Sequence, residues 1–166
     1  MNVIIFGPPG AGKGTQAQNI VKKFNLHQVS TGDLLRTEIK NKSEIGNEIE
    51  EIISKGDFAT DDVVNKLIKN IVFDLQKKDK LIFDGYPRSL SQAKNLDSLL
   101  NSSNQKIDFI FFLNVDKNTI IKRIEKRKIL EKRSDDNQNT ILKRYDTYME
   151  TTRPVLDFYS KNLNFH

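Results

Sequence analysis

The 166-residue sequence predicts an α/β domain built on a parallel sheet with helices on both faces. Three observations carry that reading. Apolar runs of strand length, Asn2-Val3-Ile4-Ile5-Phe6, Leu81-Ile82-Phe83 and residues 107–113, alternate with segments whose apolar residues recur every three or four positions. Within the runs the apolar residues are continuous, as in strands buried on both faces. The first run passes directly into a glycine-rich loop and then a helical stretch, giving the order strand, loop, helix.

From residue 15, Ala17, Ile20, Val21 and Phe24 form the stripe of a helix packed on a sheet, with Lys22 and Lys23 facing water. Gln28-Val29-Ser30 reads as a short strand, and Ser30-Thr31-Gly32-Asp33 supplies hydroxyl and carboxylate caps for the next helix. Residues 34–54 read as two short helices split near 41–43, with Ile45, Ile49, Ile52 and Ile53 on a narrow apolar face, a small inserted subdomain. Gly56 and Asp57 end it. A longer core helix carries Val63, Val64, Leu67, Ile68, Ile71, Val72 and Leu75. After the strand at 81–83, Leu90, Ala93, Leu96, Leu99 and Leu100 mark another helix, and Ile120, Ile121 and Ile124 one over 117–127. The apolar pattern stops through Lys132, a short basic connection, and resumes at Ile141, Leu142, Tyr145 and Tyr148; Pro154 divides the last helix, which ends near Tyr159.

The loop Gly7-Pro8-Pro9-Gly10-Ala11-Gly12-Lys13-Gly14-Thr15 has the chemistry of a polyphosphate cradle. Glycines let successive backbone N–H groups turn inward, the following helix adds its positive end, and Lys13 brings a mobile charge to the outer phosphates. The pattern Gly-x4-Gly-Lys is met, but Gly14 stands where Ser or Thr is usual, and the hydroxyl comes at Thr15.

A second loaded stretch is Asp84-Gly85-Tyr86-Pro87-Arg88. Arg88 follows a turn at the carboxyl end of a parallel strand, where ligands of such sheets bind. Asp84 ends that strand at the position of a magnesium-holding acid, directly or through water, with a turn-capping aspartate as the alternative. Arg36, Arg88, Arg123, Arg127, Arg133 and Arg144, beside Lys13, suit the stabilisation of charge on a moving phosphoryl group, although each one singly also fits a solvated surface.

Composition bounds the rest. With 37% hydrophobic and 30% charged residues the chain has enough apolar material for one folded domain. The net charge of +5 is spread among both signs, so it permits nucleic acid without indicating it. No cysteine is present and His27 and His166 are far apart, which excludes disulfides and disfavours zinc. No apolar stretch reaches membrane-spanning length and the amino-terminal run is too short for a signal peptide, so the expected location is cytoplasmic.

Taken together, residues 7–15, Ser30-Thr31-Gly32-Asp33-Leu34-Leu35-Arg36, the stretch from Asp84 to Arg88, Gln92 and Arg133-Ser134-Asp135-Asp136 resemble the adenylate kinases, within the nucleoside monophosphate kinases. The resemblance implies a P-loop kinase fold with a core of residues 1–29, 60–126 and 134–166, a helical monophosphate-binding insert at 30–59 and a short lid at 127–133. It implies that Gly10, Ala11, Gly12, Lys13, Gly14, Thr15, Arg123 and Arg127 hold ATP, Arg123 lying against the donor base. Thr31, Gly32, Arg36, Asp57, Phe58, Ala59, Gly85, Tyr86, Pro87, Arg88, Gln92, Arg133 and Arg144 would hold AMP. Lys13, Arg88, Arg127, Arg133 and Arg144 would be catalytic, and Thr15 and Asp84 would meet Mg2+ through water.

The implied activity is reversible in-line transfer from ATP to AMP, giving two ADP without a general base. The Gln92 amide offers both a donor and an acceptor, so it matches adenine yet is free to turn over for another base. The alternatives are a UMP/CMP-type kinase and a non-catalytic nucleotide-binding module. ATP, AMP and ADP would be the partners of a monomer, with no zinc, nucleic acid or membrane. The sequence ends at Leu163-Asn164-Phe165-His166, where the family would enter its last strand and terminal helix. A truncated form would have lower stability and weaker ATP binding; the other reading is a core of four strands.

Overall fold

Val3, Ile4, Ile5 and Phe6 have no face to turn toward water, and in the computed structural model, which describes residues 1–55, 57–131 and 138–161, they form β1 (Val3–Phe6) inside the sheet. β1 pairs with β3 (Leu81–Asp84) on one side and with β4 (Phe109–Phe112) on the other, both parallel. β2 (His27–Ser30) lies beyond β3, giving the order β2-β3-β1-β4 among the described residues. Alternate side chains go to opposite faces. Ile4, Phe6, Leu81 and Phe83 enter a cluster with Ile68, Val72, Leu96, Leu100 and Tyr159, whereas Val3, Ile5 and Ile82 join Ala17 and Leu26 on the other face.

That sorting explains where the helices lie. α1 (Lys13–Phe24) covers the second face through Ala17, Ile20 and Val21. Phe24 does not complete the stripe: it is 52% exposed at the helix end, with the Lys23 ammonium 5.5 Å from its ring centroid. On the first face lie α4 (Asp61–Val72), α5 (Leu90–Ser102) and α8 (Arg153–Ser160). Leu75, expected in the core helix, falls in a short 3-10 turn after α4 and is 84% exposed. Leu90, at the first position of α5, is 44% exposed. In each case the residue stands at a helix end or just beyond one.

α6 spans Lys117–Glu131, beyond the expected end at 127. No glycine or proline interrupts it, and its lysines, arginines and glutamates are good helix formers, so the loss of an apolar stripe does not end it. Ile120 and Ile124 form a third cluster with Ile141 of α7 (Gln138–Thr147). A π-helical turn over Tyr148–Thr152 separates α7 from α8, and Pro154 sits in the first turn of α8, where its fixed φ suits a helix start. The arginine at 133 and the expected lid beyond residue 131 lie outside the described residues, as do residues 162–166.

The residues expected to form an insert fold as α2 (Thr31–Lys40) and α3 (Glu44–Ser54), capped by Ser30 and Ser43, whose side chains accept from Asp33 N and Gly46 N. Their apolar side chains are not a separate core: Leu35 and Ile49 belong to the main cluster, with Ile45 and Ile53 packed against it. The two helices meet at Gly46, where a Cβ would lie 2.1 Å from the Glu38 carbonyl oxygen. Backbone carbonyls cannot yield as a flexible side chain can. Gly46→Ala is therefore expected to destabilise the chain by about 1–3 kcal/mol, read as a lower urea midpoint with an unchanged slope; an unchanged midpoint would contradict this helix contact.

Candidate active site

β1 delivers its carboxyl end into the glycine loop. Gly10 and Gly12 take positive φ of 80 and 93°, and Ala11 N donates to Pro8 O at 3.1 Å, so the chain curls back before α1 starts. Gly12 is the N-cap of α1 and no side chain caps that end, leaving the helix start to an incoming anion. Lys13 Nζ donates to Gly7 O at 2.7 Å and Pro8 O at 3.0 Å, folding the amine over its own loop. Burial brings its pKa down to about 8; Asp84 opposes that shift, while Arg88 and Arg127 add to it.

β3, the neighbour of β1, ends at Asp84, whose carboxylate accepts from Gln28 Nε2 at 3.2 Å. Asp84 is 9% exposed, and burial raises its pKa against the pull of Lys13, the Gln28 hydrogen bond and Arg88. A Cβ on Gly14 would lie 3.5 Å from Asp84 Oδ2, so the unusual glycine after Lys13 is where the acid and the helix start come together. Gly85 O then accepts from both Thr31 Oγ1 at 2.8 Å and Arg88 Nε at 2.7 Å. The Arg88 guanidinium lies 4.4 Å from the Phe58 ring centroid. Burial, with Arg144 nearby, lowers its pKa to about 10.

The remaining expected residues gather around these two strand ends. One cleft of about 910 Å³ is lined by Gly10 to Thr15, Thr31, Gly32, Arg36, Asp57, Phe58, Ala59, Asp84, Gly85, Tyr86, Pro87, Arg88, Gln92, Arg123, Arg127 and Arg144. Arg36 Nη2 meets Asp33 Oδ1 at 2.5 Å, and Arg123 Nη1 donates to Ala11 O at 2.9 Å. Asp57, half-buried, pairs with Lys143 of α7 at 2.6 Å. The Tyr86 hydroxyl donates to Asn65 Oδ1 at 2.7 Å and accepts from Asn95 Nδ2 at 3.0 Å, which leaves only its ring to line the cleft. Among the expected residues only Arg133 is outside the described part of the chain.

The sequence did not point to three supporting residues. Gln28 holds Asp84, Thr152 Oγ1 donates to Arg88 O at 3.0 Å, and Asp61 accepts from Gln92 Nε2 at 2.6 Å. Their partners are 56, 64 and 31 positions away, so no local pattern could reveal them. The one available signal was Asp61 in the first turn of an apolar helix, which reads as an ordinary helix-start acid.

A phosphate loop, a second cationic wall and an acid between them, all at the carboxyl ends of a parallel sheet, define a P-loop phosphotransferase. A family model described as adenylate kinase matches residues 5–164. An adenylate kinase of Pelagibacter ubique is 49% identical over 191 aligned positions, covering 99% of this chain and 90% of the relative. Those of Azobacteroides pseudotrichonymphae and Thermosipho africanus are 42% and 35% identical, covering 97% and 98% of this chain and 84% and 88% of the relatives. The chain belongs to the adenylate kinase family, whose members transfer a phosphoryl group between ATP and AMP.

The Lys13 environment makes a pH prediction. In the ligand-free protein the Lys13 amine should titrate near pH 8, followed by the 13Cε shift in NMR, and Asp84→Asn should move that midpoint lower because it removes the charge that favours the ammonium. An upward move in the variant would overturn this account of the pair.

Proposed function

We propose that the cleft binds ATP and AMP together and transfers the γ-phosphoryl group directly between them. Gly10 to Thr15, with Arg123 and Arg127, serve ATP in this reading. Thr31, Gly32, Arg36, Asp57, Phe58, Ala59, Gly85, Tyr86, Pro87, Arg88 and Gln92 serve AMP, with Arg144 and Arg133 between the two. The observation that supports it is that the phosphate loop and the second cationic group are walls of a single cleft. The division into a core, an insert at 30–59 and a short lid at 127–133 belongs to the same reading. In its favour, the Pelagibacter alignment runs to 191 positions against 166 residues, so that relative carries extra residues inside the matched region, as a longer lid would supply.

An oxygen of the AMP phosphate, already anionic, attacks the γ-phosphorus in line; that P–O bond forms as the bond to the β,γ-bridging oxygen breaks, and ADP leaves. No proton has to move. Lys13 exchanges its loop carbonyls for phosphate oxygens, Arg36 exchanges Asp33, and Arg88 turns its free N–H groups toward the transferring group. Because these donors are already held in place, little reorganisation is left for the transition state.

Mg2+ fits this site. Among the described residues no three acidic, histidine or cysteine side chains cluster, so a divalent ion would rely on phosphate oxygens and water, with Asp84 and the exposed Thr15 hydroxyl as the protein's oxygen donors. When bound, it supplies charge neutralisation at the β and γ oxygens.

Steady-state turnover with ATP, Mg2+ and AMP, UMP or CMP tests the proposal. AMP should give the highest kcat/KM, and Lys13→Ala and Arg88→Ala should each lower kcat by about 10²–10³ with unchanged circular dichroism. Equal rates with a pyrimidine monophosphate, or near-normal turnover in either variant, would refute it. Polyphosphate binding also raises the Lys13 pKa from about 8, so ATP binding near pH 8.5 should take up protons. Calorimetry in buffers of different ionisation enthalpy reads this uptake, and Lys13→Ala should abolish it.

A further inference from the structure

Gln92 is a buried amide, 4% exposed, that lines the cleft from the first turn of α5. Its side chain is already half used. Oε1 accepts from Arg88 N at 2.7 Å, and Nε2 donates to Asp61 Oδ1 at 2.6 Å. The second Asp61 oxygen accepts from Ser89 Oγ at 3.1 Å, and Ser89 Oγ in turn accepts from Gln92 N at 3.1 Å. Two helix starts, α4 and α5, are thus joined through one carboxylate.

The chemistry of this ring permits one orientation of the amide. Arg88 N–H can only donate and the Asp61 carboxylate can only accept, so turning the amide over would face donor to donor and acceptor to acceptor. Each mismatch in so enclosed a place leaves a polar group unsatisfied. What remains free is one Oε1 lone pair and one Nε2–H, side by side and in fixed order.

We infer that Asp61 is a specificity-determining positioning residue, which locks the Gln92 amide so that it accepts from an exocyclic amino group and donates to the adjacent ring nitrogen. The inference rests on the reading of Gln92 as the residue that meets the monophosphate base. Adenine presents that amino-then-nitrogen order, whereas uracil and guanine in the same pose present an oxo group and a ring N–H, the reverse order. A free amide would turn over to suit either; a locked one discriminates. Cytosine shares the order of adenine, so the lock sets the amino-against-oxo choice and leaves base size to the rest of the cleft.

The test measures kcat and KM for AMP and UMP, with ATP saturating, in the wild-type chain and in Asp61→Ser, Asp61→Asn and Gln92→Ala. Serine suits a helix start but is too short to reach Gln92; asparagine keeps the shape and can still accept through its oxygen. Asp61→Ser should raise the AMP KM and lower the AMP-over-UMP ratio of kcat/KM about tenfold or more, with the ATP KM unchanged. Asp61→Asn should lose only part of that ratio. If Gln92→Ala lowers the ratio and both Asp61 variants keep it, or if they weaken AMP and UMP equally, the lock is wrong. If Gln92→Ala itself leaves the ratio unchanged, the reading of Gln92 beneath it fails instead.

Discussion

The burial of mutually repelling cations at the carboxyl ends of the sheet is the constraint on which this structure turns. Lys13, Arg88, Arg127, Arg144 and Arg36 act on one another around Asp84, and burial together with that repulsion holds Lys13 and Arg88 well below the ordinary values for their side chains. Taking charge out of water is costly unless it is paired. The fold has to keep these groups converged without letting them collapse or splay.

It does so by giving cations of the cleft partners within the protein. The Lys13 amine rests on the Gly7 and Pro8 carbonyls, Arg36 on Asp33, Arg123 on Ala11 O, and Arg88 on Gly85 O and the Phe58 ring. All of these partners except Asp33 are uncharged, so they satisfy donors without cancelling the charge. In the proposed reading a polyphosphate would meet groups that are oriented in advance, which is what electrostatic catalysis requires. The parallel sheet makes this possible, because β1 and β3 are neighbours whose carboxyl ends lie within one residue of each other in register. The glycine loop and the segment from Asp84 to Arg88 consequently form adjoining walls of one cleft.

Much of this was legible in the sequence, and the reasons differ by element. The strand at residues 3–6 and the loop after it were readable because an apolar run, glycine spacing and Lys13 are consecutive. Arg88 was readable because a turn at a strand end announces a ligand position. Phe24, Leu75 and Leu90 were misjudged because periodicity reports which side of a helix faces the sheet but not where the helix begins and ends. The helix through Glu131 was missed because its composition is polar while its propensity remains helical. Asp61, Gln28 and Thr152 were invisible for another reason: their roles depend on partners brought close only by the tertiary fold.

Two nucleotides sharing this cleft would exchange a phosphoryl group without its passing to water. The most direct measurement is the fate of label from ATP carrying a radioactive γ-phosphate, incubated with Mg2+, AMP and the protein. The label should appear in the β position of ADP, with free inorganic phosphate at background. Label released as inorganic phosphate, or retained wholly in ATP by a folded protein that binds both nucleotides, would contradict it.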